Sequence, residues 1–157
     1  MKIGPQDCQD LARVLSLEWL EQNGRGGFAS GTVSGAHTRR YHALLLTARK
    51  PPSERFVLVN HLEEWLAIDG QVVPLSTNLY PGAVHPTGYE HCVEFSTDPW
   101  PIWTFACNGM RLQREILLIQ GRDLAIVRWT LLGRKKQRAV LRVRPKLTAR
   151  DYHGTHH

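Results

Sequence analysis

One stretch constrains this chain more than any other: residues 18–48, EWLEQNGRGGFASGTVSGAHTRRYHALLLTA. It carries Gly24, Gly26, Gly27, Gly31 and Gly35, then a basic-aromatic block, Arg39-Arg40-Tyr41-His42. Five glycines within twelve residues exclude a helix, because each costs about 1 kcal/mol in a helix interior relative to alanine. Trp19, Leu20, Phe28, Val33 and Leu44 to Leu46 still supply apolar side chains at sheet-like spacing. The segment therefore reads as tightly turned β-structure that presents backbone and a group of polar side chains.

The remainder repeats a period of two between short turns. Residues 38–48 predict a strand, fully buried at Leu44-Leu45-Leu46, and residues 50–55, with two prolines, predict a loop. Residues 56–68 and 71–75 flank Asp69-Gly70, and residues 102–107 and 110–119 flank Asn108-Gly109. Both dipeptides signal two-residue hairpins whose turn needs positive φ at each central position. Residues 80–89 are Pro/Gly-rich and read as a long ordered loop; residues 90–96 form a short strand that Asp98-Pro99-Trp100-Pro101 breaks. Along residues 124–132, Ala125, Val127, Trp129 and Leu131 share one face, with Arg128 and Thr130 on the other. Residues 139–143 repeat this with Ala139, Leu141 and Val143 inward and Arg142 and Arg144 outward, after a hairpin tip at residues 134–138. Only residues 6–15 carry a helical pattern, with Leu11, Val14 and Leu15 on one face and Asp7 as an N-cap. The expected fold is all-β: an antiparallel β-sandwich of two packed sheets, a single domain over residues 1–157 with at most a short N-terminal helix.

Composition narrows the function classes. The 157 residues, 42% hydrophobic and 22% charged, are a globular composition large enough for one core. Cys8, Cys92 and Cys107 are odd in number and lack CxxC spacing, which argues against a disulfide framework or zinc site and for a reducing compartment. The N-terminus has no apolar signal segment, and no run reaches transmembrane length, so the cytosol is the expected setting and no membrane partner is expected. A net charge of +6 invites a nucleic-acid reading. The charge is concentrated at Arg134, Lys135, Lys136, Arg138, Arg142, Arg144, Lys146 and Arg150, without any nucleic-acid-binding motif, and reads better as a solvated face.

No motif supplies covalent or cofactor chemistry. Gly24-Arg25-Gly26-Gly27-Phe28-Ala29 matches a dinucleotide fingerprint formally, but residues 30–35 cannot open the helix whose N-terminus would meet a phosphate. No cofactor is expected, and these glycines read as close backbone packing. His153, His156 and His157 with Asp151 lack an element that would put them on one face, so no metal is expected. No GxSxG, P-loop or HExxH occurs. Glu18, Glu21, Glu63, Glu64 and Asp151 could serve glycoside hydrolysis only if paired in space, and Glu63 and Glu64 point to opposite faces of a strand. The aromatic inventory (Trp19, Trp65, Trp100, Trp103, Trp129, Tyr41, Tyr80, Tyr89, Tyr152) suits sugar stacking, although core packing accounts for most of such residues.

The 18–48 stretch, Val84-His85-Pro86-Thr87-Gly88-Tyr89, Asp98-Pro99-Trp100-Pro101-Ile102-Trp103, Arg144-Pro145 and Arg150-Asp151-Tyr152-His153 together resemble the N-terminal domain of bacterial and archaeal glycogen debranching enzymes, the amylo-α-1,6-glucosidase type. The resemblance runs from about residue 16 to the end. It departs from the family pattern where Phe28 replaces Tyr, His37 replaces Asn and Ala43 replaces Gly. What it implies is a β-supersandwich-like domain that precedes an (α/α)6 catalytic toroid, where a carboxylate pair hydrolyses α-1,6 branches of glycogen or limit dextrin. That toroid lies outside the 157 residues, so this chain by itself is expected to be a non-catalytic domain without catalytic residues. The resemblance points to Arg39, Arg40, Tyr41, His42, Arg150, Asp151 and His153 as facing the sugar cleft or the domain interface. Arg and Asp would bond hydroxyls and Tyr41 would be a stacking or packing face; the plainer reading is a tie between the two motifs. Partners would be the toroid and α-glucan, not nucleic acid. A stand-alone carbohydrate-binding module is the alternative.

Overall fold

The alternating pattern folds into two antiparallel sheets laid face to face, in a computed structural model that describes residues 1–133 and 138–154. The strands are β1 (Lys2–Ile3), β2 (Glu18–Gln22), β3 (Phe28–Thr32), β4 (Ala43–Lys50), β5 (Ser53–Ile68), β6 (Gln71–Pro74), β7 (Thr77–Tyr80), β8 (Ala83–Thr87), β9 (Cys92–Ser96), β10 (Ile102–Cys107), β11 (Met110–Leu118), β12 (Ala125–Leu132) and β13 (Ala139–Asp151). One sheet has the order β1-β9-β10-β11-β12; the other runs β13-β5-β4-β3-β2, with β6 also paired to β5, and β7-β8 form a separate ribbon. The 16-residue β5 is the spine of its sheet. It pairs β13 along one edge from Phe56↔Asp151 to Ile68↔Ala139, and β4 and then β6 along the other.

The core fills the space between the sheets. Phe95, Trp103, Phe105, Leu112, Ile116 and Leu118 from one sheet meet Trp19, Ala29, Leu44, Leu66 and Ile68 from the other. Trp103 is the pivot: its ring meets Trp19 edge-on at 5.4 Å and Phe95 at 4.8 Å, and its indole N–H donates to the Val33 carbonyl at 2.8 Å. Trp19 donates likewise to Thr32 O at 3.2 Å. Both indoles thus satisfy their polar atom on backbone inside the core, which makes them structural rather than sugar-facing.

The all-β expectation holds, and so do both hairpins: Asp69 and Gly70 have φ of 48° and 86°, Asn108 and Gly109 of 47° and 76°. Several details differ. The helical lead-in is two short helices, α1 (Pro5–Cys8) and α2 (Leu11–Ser16), and the side-chain cap belongs to Asp10, which accepts from Arg13 N, not to Asp7. Residues 80–89 are not a loop but the turn and second strand of the β7–β8 ribbon. A 3-10 turn, Gly88–His91, takes the start of the strand expected at residue 90. Gly88 must be glycine, because a Cβ there would lie 2.3 Å from the carbonyl carbon of Leu75. Arg142 is exposed as expected, but Arg144 does not merely face water: it and Lys146 hold Glu63. The tip expected at residues 134–138 falls, except for Arg138, outside the described residues.

Charge is also buried between the sheets. Glu64 of β5 is opposed across the core by Arg114 of β11, Nη1 to Oε2 at 2.6 Å, with side-chain exposures of 1% and 10%. Trp129 of β12 donates to the other Glu64 oxygen at 2.7 Å, and the Arg114 guanidinium lies 4.1 Å from the Trp103 ring centroid. A buried pair of this kind is costly to break on one side only, because the remaining charge stays desolvated. Glu64→Gln should therefore lower the unfolding free energy in urea by about 3–5 kcal/mol, while Glu64→Gln with Arg114→Met should recover most of that loss. Equal losses in the single and double variants would refute the bridging role.

Candidate functional site

The turn that follows the glycine-rich segment has a local cause. His42 N donates to Arg39 O at 3.1 Å, and Thr38 N donates to His42 Nδ1 at 3.2 Å, so the chain closes on itself before β4 begins at Ala43. The expectation that residues 38–42 belong to a strand is corrected: the Arg39-Arg40-Tyr41-His42 block is a turn. Because Nδ1 accepts, the His42 proton sits on Nε2, which faces Glu18 Oε1 at 3.3 Å. Arg39 Nε reaches the same oxygen at 2.7 Å.

The seven residues singled out in the sequence therefore divide. Arg39 and His42 turn towards Glu18 at the edge strand β2. Arg40 and Tyr41 join the end of β13, some 110 residues away. Arg40 Nη1 donates to His153 O at 3.2 Å, and its guanidinium sits 4.9 Å from the Tyr41 centroid. Tyr41 OH lies 3.3 Å from His153 Nδ1, and its ring is 5.3 Å from that of Tyr152. Arg150 donates to Arg40 O through Nη2, and to Gly154 O at 3.0 Å and Tyr152 O at 3.4 Å through Nη1. Asp151 Oδ1 accepts from His153 N at 2.8 Å. Tyr41 thus has the packing role, and Arg150 spends its fork on backbone carbonyls. Arg40, Asp151 and His153 are exposed.

Behind the turn lies a row of rings that sequence reasoning did not assemble. His37 meets His42 at 5.5 Å and His61 at 5.4 Å, both edge-on, and its Nδ1 is 3.1 Å from Asn60 Oδ1. His61 and Asn60 lie on β5, and nothing local marked them. Tyr152 and Arg55, whose guanidinium lies 5.6 Å from the Tyr152 ring, belong instead to the Tyr41 corner. Tyr152 was visible in the RDYH motif. The departures are absorbed: Ala43, in place of glycine, is fully buried, and His37, in place of asparagine, supplies the middle ring.

The glycines are architectural. A Cβ on Gly27 would lie 2.6 Å from Asn23 Nδ2 and 2.7 Å from Leu46 O. Buried Asn23 organises this turn, its carbonyl accepting from Arg25 N and Gly27 N while its amide donates to Arg122 O and Asp123. Among the described residues no cluster of three or more His, Cys, Asp or Glu could hold a metal, and no helix is long and apolar enough to cross a membrane. His156 and His157 lie outside the described residues.

Residues 17–157 match the family described as glycogen debranching enzyme N terminal. The chain belongs to this family. No curated protein and no solved structure matches it. This glycogen debranching enzyme N-terminal domain thus brings its two end motifs together at one corner, with the 38–42 turn as the hinge between that corner and the core.

The histidine row sets the acid behaviour of the domain. Burial above all, then the neighbouring His61 and His42, pushes His37 down to about 3 against the opposing Asn60 bond. Burial also lowers His61, and lowers His42 against the pull of Glu18. An unfolded histidine takes up its proton near 6.5, and folded His37 not until about 3, so stability is lost as pH falls through that window. From pH 7 to pH 5 the His37 share is about 2 kcal/mol, at about 1.4 kcal/mol per pH unit below 6.5. Two carboxylates act only lower down. Burial raises Glu63, but Arg144 and Lys146 overcome it and hold it low, while Arg128 holds Glu115 low against burial. Urea unfolding at pH 7 and pH 5 should show the loss, and His37→Asn should flatten it; an unchanged slope in that variant would contradict the assignment.

Proposed function

We propose that this chain is the non-catalytic N-terminal β-sandwich domain of a glycogen-debranching glycoside hydrolase. It packs on an (α/α)6 catalytic domain and lends its 38–42 and 150–153 corner to the rim of the sugar cleft. The parent reaction is hydrolysis of α-1,6 branches in glycogen or limit dextrin, its setting is the cytosol, and the catalytic carboxylates belong to the toroid. The family assignment supports the first part. The observation that carries the second is the convergence of Arg40, Tyr41, Asp151 and His153 on one corner, from motifs 110 residues apart.

That corner suits a rim. Arg150 bonds several carbonyls and so fixes the loop, leaving Arg40 and Asp151 at the surface as donor and acceptor for hydroxyls. The Tyr41–Tyr152–His153 ring group stiffens it, with Tyr152 and His153 centroids 3.9 Å apart. A rigid polar edge places hydrogen-bonding groups without the entropy cost of ordering a mobile loop. In the enzyme polypeptide that carries this domain, Arg40→Ala should lower kcat/KM on branched limit dextrin by about tenfold, the loss of one charge-assisted hydrogen bond. Melting temperature should hardly move, because Arg40 is exposed. Unchanged kcat/KM at unchanged melting temperature would remove this corner from the cleft.

A further inference from the structure

We propose that the β12 edge accepts an added antiparallel strand from the rest of the enzyme polypeptide, an inference that rests on the debranching-domain reading. The strand is apolar on its inner face and acidic on its outer one. β12 pairs β11 along all of Ala125 to Leu132, and among the described residues no strand pairs its other side. The N–H and C=O groups on that side form an open row that another extended backbone matches. Edge strands are ordinarily guarded by proline or charge. β13, the neighbouring edge of the other sheet, is guarded in this way, with Pro145 set among Arg142, Arg144 and Lys146. β12 has no proline, and its single charge, Arg128, is already bonded to Glu115 through Nε and Nη2 at 2.5 and 2.8 Å.

The packing of the two sheets shows what such a strand covers. Glu64 is held by Arg114 of β11 and Trp129 of β12 at once, so β5 lies over the seam between them. β13, next outward from β5, therefore reaches past β12, and among the described residues no strand opposes its inner face there. Directly paired residues share a face of their sheet. Val143 pairs the inward Glu64, and Leu147 pairs Val59, which packs on the core. Leu131 likewise pairs the buried Leu112. Yet Leu131, Val143 and Leu147 are 45%, 38% and 73% exposed. Aliphatic side chains that point inward and still meet water mark a core one strand short. Alternate apolar residues of a strand beside β12 would cover all three. Charge selects the outer face and disfavours a second copy as the source. Arg128, Arg144 and Lys146 share two carboxylates, Glu115 and Glu63, while Arg111 and Arg142 form no ion pair among the described residues. That positive excess favours acidic residues on the outer side of the added strand. A second copy, itself at +6, would repeat the excess, and pairing β12 to β12 would drive both β13 strands over one seam.

The test compares hydrogen exchange, resolved by residue, in the 157-residue chain and in the enzyme polypeptide that carries it. In the isolated chain, alternate amides of residues 125–132 should exchange fast, because only those facing β11 are bonded. In the enzyme these fast amides should slow by about tenfold or more. Leu147→Asp puts a carboxylate beneath the added strand and should restore their fast exchange. It should leave the melting temperature of the isolated chain unchanged, since Leu147 is already exposed there. Val140→Asp, on the opposite face of β13 beside Ala67, should leave the exchange of β12 as it is. Fast β12 amides in the enzyme overturn the proposal, as does an equal response to the two variants. Slowing in the isolated chain that grows with its concentration does so too, because a second copy is then the occupant. Slowing at residues 38–42 and 150–154 with β12 still fast would sink the added strand and leave the domain reading intact. No slowing at either place would sink both.

Discussion

The Glu64–Arg114 bridge is the interaction on which the two-sheet arrangement depends. Sheet-on-sheet contacts made by aliphatic side chains are non-directional and tolerate sliding by a residue or two. A carboxylate held at 2.6 Å by a guanidinium and at 2.7 Å by an indole does not. It fixes β5 opposite β11 and β12, and so fixes which residues of β5 face inward. With Glu64 inward, the pleat turns Glu63 outward to Arg144 and Lys146 of β13, and those bonds hold β13 in register against β5. Adjacent carboxylates therefore set the position of both neighbours of the spine strand: one across the core, one along the sheet.

That registration brings the end motifs together. The β13–β5 pairing starts at Ala139↔Ile68 and ends at Asp151↔Phe56, so its last rung sets Asp151 beside β5, whose other neighbour is β4, the strand that begins after the 38–42 turn. Arg150 then closes the corner through Arg40 O. A slip of one residue would reverse the faces of Arg150 and Asp151 and remove the closure. The corner inherits its precision from a core interaction that lies well behind it.

How far the sequence revealed this depends on whether the signal was local. The two hairpin dipeptides carried their own backbone requirement, and the alternation of residues 124–132 showed a half-buried strand as far as Trp129, although Leu131, expected on the inward face, is exposed. The β7–β8 ribbon was hidden because Pro81 and Pro86 suggested a loop; a two-stranded ribbon lying off both sheets tolerates the missing donors. Asp7 looked like a cap because it precedes an apolar pattern, yet the proline at residue 5 starts a separate first turn and leaves the capping to Asp10. At the site, motif resemblance found residues near one another in sequence, such as Arg39 to His42, but not that Arg39 and His42 turn towards Glu18 while Arg40 and Tyr41 turn away. That split follows from the Thr38–His42 bond, which no spacing rule encodes. His61 and Asn60 were invisible for a simpler reason: they lie on a regular strand, and only their neighbours from β3–β4 give them meaning.

The histidine row also explains why the turn can sit against the core at all. A turn beside a sandwich edge ordinarily leaves backbone polar groups to water. Here His42 absorbs one of them, the Thr38 N–H, and passes the demand for charge compensation to Glu18 rather than inward. His37 and His61 continue inward as uncharged rings in edge contact, so the path from the surface to the Trp19–Trp103 centre crosses no unpaired ion. Neutral rings can be buried in this row at little cost, whereas a fixed charge at either position would have to be desolvated without a partner.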